Sequence, residues 1–165
     1  MILPDNFSPQ EREECAKSLF RNGYNCCQSV LLAFADVLEL NEKAKSEILS
    51  VIGSGFGGGM GRMREVCGGF SAMVMMAGFI APAQDPSAKA ARTVNYAMVQ
   101  DFARQFKDRN GGSIICGELL GITKRSVTEN PEPSDRTPEY YKKRPCEQIV
   151  GTAAHILAEK LMSMD

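Results

Sequence analysis

The sequence predicts an all-α fold, a bundle of six or seven helices, and three observations carry that expectation. Apolar residues recur at helical spacing in one segment after another. The punctuation between segments is that of helix ends. Ser8-Pro9-Gln10-Glu11, Asn25-Cys26-Cys27-Gln28, Asp85-Pro86 and Pro145-Cys146-Glu147 open runs, while Gly23, Gly111-Gly112 and Gly121 close them. No stretch alternates convincingly in the manner of a strand, and no internal repeat of about 20–50 residues is visible.

Each element follows from its own signals. Ser8 caps the N–H of Glu11 with Pro9 in the first helical position, which predicts a helix to about Arg21 that stops at Gly23. Asn25 opens a second helix carrying Val30, Leu31, Phe34, Val37 and Leu38, and Asn41 a third through Ile52. Residues 53–61 hold six glycines and read as an irregular glycine-rich loop. Cys67 then leads into an apolar helix ending near Pro82. Asp85-Pro86 predicts a long amphipathic helix to about Asn110, and Ser113 a short one containing Cys116. Residues 122–144 are polar, with Pro131, Pro133 and Pro138, and read as one long loop. Pro145 starts the last helix, which runs to about Met162.

The 165 residues suit one domain spanning 1–165, since domains average about 150 residues. With 44% apolar and 24% charged residues the composition is that of an ordinary globule. Lys+Arg 19 against Asp+Glu 20 gives a net charge of −1, which supplies no drive toward nucleic acid or an anionic membrane. The start, Met1-Ile2-Leu3-Pro4-Asp5-Asn6, lacks a basic segment followed by an apolar one, and the most apolar stretch, residues 70–83, is shorter than the roughly 20 residues a membrane span needs. These features predict a cytoplasmic protein, in a reducing compartment where thiols stay free, bind metal or cycle.

Six cysteines are the compositional oddity. Cys26, Cys67, Cys116 and Cys146 each fall in or near the first turn of a predicted helix, where unpaired N–H groups and the positive dipole end stabilise a thiolate. A lowered pKa makes a cysteine a nucleophile, redox group or metal ligand. Arg62 and Arg64 precede Cys67, which makes it the expected most acidic thiol, and Lys142, Lys143 and Arg144 precede Cys146. Cys15 and Cys27 fit core packing better. No C-x-x-C occurs, so the four thiols meet only if the bundle brings them together. Four converging thiolates suit two disulfides, a tetrahedral zinc or an iron–sulfur cluster, and spacing does not choose among these.

The same positions carry a resemblance. Asn22-Gly23-Tyr24-Asn25-Cys26, the glycine-rich Gly55 to Gly61, Cys67-Gly68-Gly69, Cys116-Gly117-Glu118-Leu119-Leu120-Gly121 and Cys146-Glu147-Gln148-Ile149-Val150 together resemble the C-GCAxxG-C-C family, described as redox-active. The likeness runs from about Phe20 to the C-terminus. It implies that Cys26, Cys67, Cys116 and Cys146 match the family's four cysteines, with Val66 and Gly68 standing where the family pattern has Gly and Ala and no glycine at the motif's final position.

Other constellations are weaker. Gly53, Gly55 and Gly58 fit G-x-G-x-x-G, but a helix precedes them where a dinucleotide-binding unit needs a strand. His155, the only histidine, lies off the apolar arc of the last helix and is expected to be solvated. Met73, Met75, Met76 and Met98 read as core filler, and Tyr140-Tyr141-Lys142-Lys143-Arg144 as a solvated loop. Small residues along 68–81 suit close helix contact, including a homodimer seam. The expected function is redox chemistry at four converging cysteines, with an unidentified redox partner. They would act either as ligands of an iron–sulfur or other metal centre or as a dithiol/disulfide set. The alternatives are a module locked by structural zinc and a fold with inert cysteines.

Overall fold

The computed structural model describes residues 1–41, 44–122 and 129–164. Among them are eight α-helices: α1 (Pro9–Arg21), α2 (Cys26–Leu32), α3 (Lys45–Gly53), α4 (Gly68–Ile80), α5 (Lys89–Arg109), α6 (Cys116–Leu119), α7 (Pro138–Lys143) and α8 (Cys146–Met162). The only extended pairing among the described residues is one antiparallel bridge, Val66 to Ile115. The predicted all-α class is the observed one. No helix among the described residues is long and apolar enough to cross a membrane.

The bundle is built around α8. Ile149, Val150, Ala153, Ala154, Ile156, Leu157, Ala158 and Leu161 are all buried, because α1, α2, α4 and α5 pack on different sides of that helix. Phe20 of α1, Leu31 of α2, Met73 and Met76 of α4, and Phe102 and Phe106 of α5 fill the spaces between. Burial of an aromatic or large aliphatic side chain contributes roughly 1.5–3 kcal/mol, so this cluster supplies most of the folding drive. Most of the small residues of α4 serve this chain's own interior: Gly68, Gly69, Ser71, Ala72 and Ala77 are buried, while Gly78 meets open space.

Several element boundaries differ from the sequence expectation, each for a local reason. The apolar run after Asn25 does not stay α-helical to Leu38. It ends at Leu32 and continues as a 3₁₀ turn, Ala35–Val37, which still buries Phe34, Val37 and Leu38. The third helix begins at Lys45, not at Asn41, and residues 42–43 lie outside the described residues. Gly53 ends α3, and Ser54–Phe56 form a further 3₁₀ turn, so only the later glycines are irregular. Asp85 accepts hydrogen bonds from both N and Oγ of Ser87, making a turn instead of a helix cap, and α5 starts at Lys89. The long polar loop contains α7. Thr137 accepts the N–H of Tyr140 with Pro138 in the first position, a cap legible in Thr137-Pro138 that the proline count obscured. The part of that loop at residues 123–128 lies outside the described residues. His155 is not freely solvated: its Nδ1 lies 2.8 Å from Glu13 Oε2, since the central α8 is flanked on that side as well.

Two glycines decide how closely the elements meet. Gly59 has φ +72, and a Cβ there would sit 2.6 Å from Cys116 Cβ and 2.8 Å from the Glu65 nitrogen. A Cβ on Gly68 would lie 2.7 Å from the Phe56 carbonyl oxygen and 3.1 Å from Cys26 Cβ. Gly59→Ala therefore lowers the urea-unfolding free energy by about 2 kcal/mol or more, combining left-handed strain with overpacking. Gly55→Ala, whose Cβ would meet nothing within 4 Å, stays within about 0.5 kcal/mol of the parent. Equal losses for the two variants would contradict this account of the loop.

Candidate redox site

The four cysteines singled out in the sequence stand at the beginnings of four helices. Cys26, Cys116 and Cys146 are the first residues of α2, α6 and α8, and Cys67 is the residue that precedes α4. Their side chains border one small, apolar cavity of about 10 Å³, together with Gly59, Leu119, Leu120 and Ile149. That volume admits about one water-sized centre. All six cysteines are free thiols. Cys27 is fully buried in the core and Cys15 is half-buried against it, as expected for packing residues.

Short-range chemistry brings these distant residues together. Asn25 Oδ1 accepts the N–H groups of Cys27 and Gln28, while Asn25 Nδ2 donates to the carbonyls of Gly53 and Ser54. The start of α2 is thereby fastened to the glycine-rich segment. Residues 64–67 pair with 114–117: Cys67 N donates to Ile114 O at 2.8 Å, Cys116 N to Glu65 O at 2.7 Å, and Gly117 N to Arg64 O at 3.1 Å. This pairing sets Cys67 beside Cys116. At α8, Arg21 of α1 bonds Glu147 at 2.7 Å, and the Tyr141 hydroxyl donates to the Arg21 carbonyl at 3.1 Å.

The loop between α3 and α4 holds three non-glycine residues at positive φ: Met60 (58), Arg62 (68) and Arg64 (61). Left-handed backbone costs roughly 1–2 kcal/mol for each such residue, so the surroundings must hold them. Arg64, 5% exposed, makes a bidentate pair with Glu129 at 2.8 and 2.7 Å. Arg62 Nε donates to the Asn130 carbonyl at 2.8 Å. Glu129 is held below the usual carboxylate range by the Arg64 hydrogen bonds.

The electrostatics reverse one expectation. Cys67 is not the most acidic thiol, because burial pushes it up to about 12. The N–H groups of Gly69 and Phe70 act on its sulfur in the lowering direction without forming a capping hydrogen bond, and they do not offset desolvation. The two arginines before it in sequence turn away: Arg62 faces Asn130 and Ser134, and Arg64 faces Glu129 and Cys116. Cys146 is the acidic thiol. The Cys26 thiol donates a hydrogen bond to it, and the charges of Arg144, Arg136 and Arg64 add to the effect against desolvation, lowering Cys146 to about 7. Cys26, the donor, is raised by the same bond and by burial. Cys116 is raised by burial, although the Arg64 guanidinium donates to its sulfur.

Arg136 is the site residue that the sequence does not single out. Arg136 lies in the proline-rich stretch, and its guanidinium stacks over Phe20 at 4.5 Å and Tyr140 at 4.8 Å. Arg144 stacks over Tyr140 at 4.7 Å. Arg144, whose place two residues before Cys146 is legible in the sequence, does act on that thiol, and Tyr140 is partly buried beneath it instead of solvated.

The donor set, four thiols, is chemically suited to zinc or an iron–sulfur cluster. The spacing is not: among the described residues no group of three or more His, Cys, Asp or Glu is placed to hold a metal ion. What the arrangement offers directly is a half-buried thiol, lowered to about 7, that shares its cavity with a second thiol, Cys26. Iodoacetamide modification of Cys146, followed by mass spectrometry, should therefore rise with pH through about 7 and level off above it, while Cys27 and Cys67 stay unmodified. Removing the donor by Cys26→Ala, or the charge by Arg144→Gln, moves that inflection upward and slows modification at pH 6 severalfold. An inflection unmoved by both changes would contradict this assignment.

The family model described as "Putative redox-active protein (C_GCAxxG_C_C)" matches residues 24–160. No curated protein matches the chain, and no solved structure does. The matched region spans all four cavity cysteines and most of the bundle that positions them, and the chain belongs to the C_GCAxxG_C_C family.

Proposed function

We propose that this protein is a thiol–disulfide oxidoreductase in which Cys146 is the attacking thiolate and Cys26 the resolving thiol, with Cys67 and Cys116 completing the redox site. The observation that carries the reading is that Cys26 and Cys146, two helix-start thiols, line the same small cavity and the wider cleft beside it, where Cys26 and nearby arginines lower the pKa of the Cys146 thiol. An attacking thiol works best when its pKa lies near ambient pH, since thiolate fraction and nucleophilicity trade off.

The steps balance as a two-electron exchange. The Cys146 thiolate attacks one sulfur of a substrate disulfide; a mixed S–S bond forms, the substrate's own S–S bond breaks, and one thiolate leaves. Cys26 then attacks Cys146 Sγ, passing its proton to a released thiolate. The Cys26–Cys146 bond forms, the mixed disulfide breaks, and the second substrate thiolate departs. The protein dithiol is oxidised and the substrate disulfide reduced.

A second reading is favoured by one observation, that all four sulfurs border the same cavity. In it Cys26, Cys67, Cys116 and Cys146 would hold a metal centre, giving electron transfer with iron–sulfur or a structural lock with zinc. The cavity volume and the thiol spacing place it second.

The test is to incubate the reduced protein with the neutral 2-hydroxyethyl disulfide and map its cysteines by mass spectrometry. The expected product has a Cys26–Cys146 bridge, with Cys15 and Cys27 still free. Cys146→Ser abolishes the reaction, Cys26→Ser halts it at a mixed disulfide on Cys146, and Cys15→Ala and Cys27→Ala leave it unchanged. Anaerobically purified protein that carries stoichiometric metal, loses it equally on replacing any of the four, and exchanges with no disulfide would overturn the proposal in favour of the metal reading.

A further inference from the structure

Beside the small cavity lies a cleft of about 500 Å³, within the usual range for small-molecule sites. Cys26, Cys116 and Cys146 lie on its wall, so the cleft leads to the thiols. Its charge is at odds with the rest of the molecule. The chain carries a net charge of −1, yet the cleft is lined by Arg62, Arg64, Arg136 and Arg144 and, among the described residues, by no acidic one. One carboxylate just outside, Glu129, answers Arg64 with two hydrogen bonds and reaches Arg62 at 3.5 Å. Arg144 has no hydrogen bond or ion pair among the described residues, only the face of Tyr140. Arg136 Nη1 is buried without a hydrogen-bond partner, while Nη2 reaches only the Tyr24 carbonyl at 3.3 Å.

Two guanidiniums held in place by aromatic faces, with no carboxylate meeting either among the described residues, form a ready anion receptor. Stacking fixes each plane beside the cleft, and arginine matches carboxylate in a two-pronged geometry. We propose that this cleft binds a small dianionic ligand through Arg136 and Arg144, and that the substrates are low-molecular-weight disulfides bearing carboxylates. The disulfide part rests on the function proposed above, whereas the anion site stands on the cleft alone.

Two measurements separate those parts. In the first, octanedioate, an unreactive dicarboxylate with the backbone length of 3,3′-dithiodipropionate, is titrated calorimetrically into the reduced native protein. Binding is expected, weakened about tenfold or more by Arg144→Gln and by Arg136→Lys, with circular dichroism confirming the fold and Arg104→Ala, on α5 and outside the cleft, as a control. In the second, exchange rates are compared for 3,3′-dithiodipropionate, neutral 2-hydroxyethyl disulfide and cationic cystamine. The anionic disulfide should react at least tenfold faster than the neutral one and cystamine slowest. Arg144→Gln should collapse the anionic-to-neutral ratio, which cancels any change in thiolate content. No octanedioate binding, or binding unaffected by both arginine variants, overturns the anion site even if all three disulfides react. Binding without any charge preference in exchange overturns the substrate class. Failure of every disulfide to react overturns the exchange function and the disulfide assignment with it, while the binding result still decides the anion site.

Discussion

With no side chain at Gly68, the first turn of α4 lies directly against the first turn of α2, close enough that a methyl group would press on the Phe56 carbonyl and on Cys26. The remaining arrangement depends on that approach. It sets Cys67 and Cys26 on the same cavity wall, and the short pairing of residues 64–67 with 114–117 then adds Cys116. The start of α8 closes the group with Cys146, held by contacts from Tyr141 and Glu147 back to the end of α1. Four helix beginnings pointing at one spot is an electrostatically loaded arrangement, and sulfur is a side-chain atom able to respond to it by ionising.

Ionisation at this site is nevertheless decided by burial more than by helix ends. A helix N-terminus favours an anion by about 0.3–1 kcal/mol, up to about 2 in a partly buried setting. Full desolvation shifts a pKa by up to about 3–5 units, each worth about 1.36 kcal/mol. Cys67, deep in the cavity, follows desolvation and stays a thiol. Cys146 is only half-buried, receives a hydrogen bond from Cys26 and faces guanidiniums, so there the balance tips to the thiolate. Four helix-start cysteines thus become unequal partners. One is ready to ionise, one donates to it, and two remain protonated behind them.

The arginines give the site a direction. They come from two separate segments, 62–64 and 136–144, and share one cleft that opens on the acidic thiol. The strained left-handed residues of the first segment are held by Glu129 and Asn130, and tyrosine faces support the arginines of the second. A molecule with almost balanced charge thus gathers four arginines around the cleft that Cys146 lines.

Much of this was readable along the chain. The helical class follows from periodicity, and the caps at Ser8 and Asn25 follow from side-chain hydrogen bonding within four residues. The helix-start location of the four cysteines, and the packing role of Cys15 and Cys27, are local properties too. Tertiary structure alone decided which thiol ionises, because desolvation and the reach of Arg64, Arg136 and Arg144 depend on residues far away in sequence. Arg64 lies three residues before Cys67 yet serves Cys116, since its left-handed backbone turns its side chain toward Glu129. Local propensity acts over one or two turns of chain, whereas charge and burial act through space, and only the folded packing determines what lies within their range.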